Sequence, residues 1–79
     1  MKNPESIKAF GLHLRRLRES KDLSQQNLAD IADVAKITIQ RIENGKTCVT
    51  IDVLISISTA LKINLTELVD FQQIKERKK

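Results

Sequence analysis

The stretch AKITIQRIENGK, Ala35–Lys46, admits two backbones. Ile37 and Ile39 alternate with Lys36, Thr38 and Gln40 as in a strand with one wet face, yet Ala35, Ile39 and Ile42 stand at i, i+4 and i+7, one stripe of a helix. A strand here needs a partner. The comparable run is VTIDVLISIS, Val49–Ser58, which also alternates and can close a hairpin through ENGKT. Against the hairpin, Asn44 and Gly45 stand where a helix C-terminus wants a left-handed residue, and Thr50 can cap a new helix. Two strands alone would also be marginal beside the helical segments around them.

Upstream, Asn3 as N-cap, Pro4 at the first helical position and Glu5 in the first turn open a helix expected over Pro4–Ser20, with Ile7, Phe10, Leu14 and Leu17 as its apolar stripe. Ser24 caps a second helix of about Gln25–Ala32, and Leu23 and Leu28 form a hydrophobic staple across its start. Only Asp33, Val34 and Ala35 separate it from the decisive stretch, and Asp tolerates the left-handed conformation of a tight turn. Downstream, Ile51, Leu54, Ile55, Ile57, Ser58 and Leu61 give a fourth helix the broad apolar coverage of a central element. Asn64 with Glu67, stapled by Ile63 and Leu68, starts a fifth that is expected to carry Leu68, Val69, Phe71 and Ile74. The basic tail, residues 75–79, lies beyond the core expected over about residues 4–74.

Seventy-nine residues make a single domain over 1–79, and a chain this short buries a modest fraction of its surface. Cys48 is the single cysteine and His13 the single histidine, which excludes an internal disulfide and a four-ligand zinc site; neither metal nor cofactor is expected. The absence of a long apolar run or of a signal-peptide core leads us to expect a protein without membrane association, in the cytoplasm. A net charge of +4 favours polyanionic partners. With no Trp or Tyr, and only Phe10 and Phe71, the chain lacks the stacking platforms of single-strand and RNA binders, so among nucleic acids duplex DNA is favoured. NGKT, Asn44–Thr47, is not a phosphate loop, since that motif needs glycine at position 40, which is Gln. No base can be placed beside the scattered Ser and Thr hydroxyls, so no catalytic residue is assigned and the chain is read as a non-enzyme.

Two short helices joined by a three- or four-residue turn form a helix-turn-helix, whose second helix can enter a major groove about 12 Å wide. LSQQNLADIADVAKITIQRIENGK, with LRRLRESKDLSQQNLA before it and ALKINLTEL after it, closely resembles the Xre family of transcriptional regulators, which includes the phage repressor and Cro domains and the small controller proteins of restriction-modification systems. The resemblance covers about Leu12–Phe71 and implies an all-α, five-helix, lambda-repressor-like domain with the helix-turn-helix in its second and third helices. It further implies that Lys36, Ile37 and Arg41 read bases, that Gln25, Thr38, Asn44 and Lys46 contact the DNA backbone, and that Arg18 and Glu43 form a salt bridge. Gln25 would also brace the recognition helix. Arginine can donate twice to guanine, lysine less rigidly, and isoleucine can meet a thymine methyl group.

Two positions depart from the family pattern: Asp33, where glycine is usual, and Ile37, where a polar reader is common. The expected partner is a duplex operator bound by a homodimer, its interface drawn from Leu68, Val69, Phe71 and Ile74, which are many apolar groups for a terminal helix. The plainer readings are a solvated helix face for Lys36, Ile37 and Arg41, ordinary surface residues at Gln25 and Lys46, two unrelated exposed charges at Arg18 and Glu43, a surface position for His13, and a loop or packing role for Cys48. The functional rivals are an antitoxin that binds a toxin protein and a protein-interaction module docking an acidic partner. Steeply salt-dependent preference for one duplex would separate DNA reading from the latter.

Overall fold

The computed structural model describes residues 4–71, and they form five helices: α1 (Pro4–Ser20), α2 (Gln25–Ala32), α3 (Lys36–Glu43), α4 (Ile51–Leu61) and α5 (Leu65–Val69). No strand occurs among the described residues. Exposure decides between the two readings of the opening stretch. In a strand Ile37 and Ile39 would share a face, whereas Ile39 is 0% exposed and Ile37 is 49% exposed, with Ile42 buried beside Ile39. The helical stripe is the one that packs.

The starts of three helices follow local chemistry. Ser24 accepts from the Asn27 N–H at 2.9 Å and Asn64 from the Glu67 N–H at 2.9 Å, each within a reciprocal capping box, and Thr50 accepts from the Val53 N–H at 3.3 Å. Asn3, the expected cap of α1, lies outside the described residues. The turn between α2 and α3 is left-handed at Asp33 (φ 61°, ψ 45°), and the Val34 N–H reaches back to the Ala29 carbonyl at 3.0 Å. Asp therefore adopts the conformation that glycine would supply more cheaply. Gly45 (φ 68°) closes α3 in the same manner, with the Lys46 N–H donating to the Arg41 carbonyl at 2.8 Å.

Phe10 and Leu14 of α1, Leu28, Ala29 and Ala32 of α2, Ile39 and Ile42 of α3, Ile57, Ala60 and Leu61 of α4 and Leu68 of α5 meet in one core. Gly11 lets α1 approach closely: a Cβ there would collide with the Ile42 carbonyl oxygen and stand 2.8 Å from that of Glu43.

Three expectations need correction. Leu68 cannot belong to a dimer seam, because it is 0% exposed within its own chain, where the Asn64–Glu67 box aims it into the core. The fifth helix ends at Val69 and does not carry Phe71. Phe71 lies beyond the helix end and is half-buried, its ring edge-on to Phe10 at 5.7 Å and 6.1 Å from the His13 ring; gaining this aromatic contact offsets the lost helical turn. Ile74 lies outside the described residues. Nor is α4 covered all round, since Ile51 is 63% exposed and Ile55 is also exposed.

Candidate nucleic-acid interface

At 100° per residue, α3 divides into two arcs. Ile39, Ile42 and Glu43 are buried, whereas Lys36, Ile37 and Arg41 are exposed, with Gln40 half-exposed among them. These four outward residues span about 140° of the helix. Gln40 was missed in the sequence reading. It stands at i+4 from Lys36 and i+3 from Ile37, so helical spacing alone was enough to find it, and its amide can pair with adenine as arginine pairs with guanine.

The buried arc of α3 is locked by charge as well as by packing. Arg18 donates from Nε to Glu43 Oε2 at 2.6 Å and from Nη2 to Glu43 Oε1 at 3.0 Å, while its Nη1 donates to the Leu23 carbonyl at 2.8 Å. Both side chains are nearly inaccessible. The hydrogen bond donated to Glu43, with the negative charges of Glu43 and Glu19, raises the Arg18 pKa above its ordinary value against the opposing effect of burial. Gln25 Nε2 completes the arrangement by donating to Glu43 Oε1 at 3.0 Å. One carboxylate at the end of α3 is thus held by α1 and by the first residue of α2.

Thr38, Arg41, Thr47 and Thr50 border a depression between α3 and the start of α4, and Asn44 and Lys46 are exposed at the turn that ends α3. Ala35 gives α3 no side-chain cap. His13 is not a plain surface residue. Its ring is half-buried, and Nε2 lies 3.1 Å from the Glu67 carbonyl, which only accepts, so that nitrogen carries the proton. Nothing in the spacing of the first helix pointed to a partner 54 residues away.

No group of three or more His, Cys, Asp or Glu that could hold a metal ion occurs among the described residues, and none of their helices is long and apolar enough to cross a membrane. Two short helices set by a three-residue turn that is left-handed at Asp33, the second turning a polar and cationic arc outward from a locked base, are the design of a helix-turn-helix DNA-binding transcription regulator.

Known proteins agree. The helix-turn-helix family HTH_3 matches residues 14–68, and the chain belongs to that family. It is 43% identical over 60 residues to the control protein C.MunI of a Mycoplasma species, covering 75% of this chain and 81% of that one. Among solved structures, the restriction-modification controller protein C.AhdI from Aeromonas hydrophila superposes with a TM-score of 0.77 at 34% identity, over 78% of this chain and 94% of the other. The clp gene regulator ClgR from Corynebacterium glutamicum gives 0.76 at 25% identity, over 81% and 82%.

Proposed function

We propose that this protein is a homodimeric, cytoplasmic controller of transcription that reads a two-half-site operator, in the manner of a restriction-modification controller. The outward arc of α3 carries this reading: Lys36, Ile37, Gln40 and Arg41 contribute nothing to the core and combine hydrogen-bonding and methyl-contacting groups suited to base edges. Gln25, Thr38, Asn44 and Lys46 hold the phosphate backbone on either side. Gln25 gives one amide N–H to Glu43 and keeps the second for a phosphate. The controller role rests on the likeness to C.MunI and C.AhdI.

A single helix-turn-helix makes few base contacts, and two copies on adjacent half-sites add theirs. The seam we assign is the outer face of α4 and α5, where Ile51, Ile55, Leu65 and Val69 are exposed and where Leu54 and Val69 line one apolar groove.

Arg41→Ala and Lys46→Ala test the reading together, since each removes one positive charge. On an operator selected by the wild-type protein, Arg41→Ala is expected to cost about 1–3 kcal/mol and to relax preference at one base pair per half-site. Lys46→Ala is expected to weaken operator and random duplex by similar factors and to lower the salt slope by about one unit per site. Equal, sequence-blind losses for both variants would reduce the face to a basic patch.

A further inference from the structure

We propose that Lys8, on the first helix, is an additional DNA phosphate contact that acts beside Lys46 across Gly45; the assignment rests on the backbone role given above to Lys46. A Cβ added to Gly45 would stand 2.7 Å from Lys8 Cγ and 3.2 Å from Lys8 Cα, so the stem of Lys8 lies flat on the glycine that ends α3. This is one of a row of contacts along one side of α1. Gly11, nearly one turn on, meets the Ile42 and Glu43 carbonyls, and Arg18, two turns beyond that, grips the Glu43 carboxylate. The first helix thus runs along the carboxyl end of α3 and delivers Lys8 to the same turn that presents Asn44 and Lys46.

Packing fixes the stem but leaves the charge unanswered. Lys8 is exposed and forms no hydrogen bond or ion pair among the described residues, and the same holds for the side chain of Lys46. Glu43 is the one carboxylate of α3, and it is already taken by Arg18 and Gln25. Two ammonium groups from different segments thus flank one turn, and neither is held in an ion pair among the described residues. A phosphodiester backbone, whose charges repeat along the duplex, supplies that counter-charge, and cations already positioned by packing lose less freedom on meeting it. Gly45 is then needed twice, for its positive φ and for the space over which Lys8 lies.

Lys8→Gln, which keeps most of the packed stem and removes the charge, is compared with Lys46→Gln and with a control, Lys21→Gln, in the α1–α2 turn. Affinities of the full chain for the selected operator and for random duplex of equal length are measured over a series of salt concentrations. Lys8→Gln is expected to lower the salt slope by about one unit per bound protomer and to weaken both duplexes by a similar factor, up to roughly eightfold per contact at 0.1 M salt, with thermal unfolding unchanged. Lys8→Arg should restore the slope, and Lys21→Gln should leave it alone. An unchanged slope for Lys8→Gln while that of Lys46→Gln falls would overturn the proposal and leave the backbone reading standing. A lower melting temperature with an unchanged slope would likewise overturn it, making Lys8 a stabilising charge at the carboxyl end of α3. An unchanged slope for Lys46→Gln would remove the reading on which the proposal rests.

Discussion

Gln25 and Glu43 are joined by a hydrogen bond of 3.0 Å, so the first residue of α2 is tied to the last residue of α3. Because Glu43 also takes two hydrogen bonds from Arg18, this one carboxylate fixes the angle between the two helices of the motif. Glu43→Ala leaves the Arg18 guanidinium buried with only the Leu23 carbonyl, and Arg18→Ala leaves a buried carboxylate; each is expected to cost about 3–5 kcal/mol. Gln25→Ala should cost about 1 kcal/mol, since Gln25 is half-exposed. Thermal unfolding of the Arg18 and Glu43 single and double variants reports the coupling, and additive losses would show that none exists. The raised Arg18 pKa adds stability that is fully present below the ordinary arginine value and is lost only as pH climbs past the raised one, so the loss from Arg18→Ala should be the same at pH 7 and pH 9.

Gly11→Ala sets two effects against each other. Alanine gains about 1 kcal/mol of helix propensity. Its Cβ, however, meets the main-chain carbonyl oxygens of Ile42 and Glu43, which belong to a packed helix and cannot rotate aside. A net loss of about 1–3 kcal/mol is expected, read by denaturant unfolding, together with weaker operator binding as α3 shifts. A stabilised variant would show that α1 and α3 can separate without cost.

Turn and cap positions offer gains. Lys62 ends α4 in the left-handed region (φ 61°) with a long side chain, so Lys62→Gly should stabilise by up to about 1 kcal/mol; Asp33→Gly should gain less, because aspartate tolerates that conformation better. Ala35→Ser should add about 1 kcal/mol by capping α3. Melting temperatures decide each case, and a drop on Lys62→Gly would mean that unfolded-chain entropy outweighs the relieved strain.

Leu68 and Val69 are neighbours with opposite expected phenotypes. Leu68→Asp places a carboxylate in the monomer core and should abolish folding, whereas Val69→Asp or Ile55→Asp should give helical monomers that bind the paired half-sites weakly. Sedimentation and circular dichroism distinguish the cases. A dimer that survives both Val69→Asp and Ile55→Asp would place the seam elsewhere.

The helix starts were legible because they are written locally: Ser24, Thr50 and Asn64 each meet a main-chain N–H three residues on. The turns at Asp33 and Gly45 were legible for the same reason. What depends on distant residues was not. Leu68 was placed at an interface because its apolarity was visible while the cavity that receives it was not, and the return of Phe71 onto Phe10 has no local signature. The outward face of α3 was legible as a pattern but incomplete at Gln40, and the meeting of Lys8 with Gly45 needed the path of the first helix.

The division of α3 into a locked inner arc and an idle outer one has an evolutionary consequence. An eight-residue helix is too short to persist in isolation, so its backbone is set by what its inner side touches. Exchanges at Lys36, Ile37, Gln40 and Arg41 therefore leave folding stability nearly unchanged, and on the base-reading role proposed for them a lineage can drift to a new operator through successive viable intermediates, one side chain at a time.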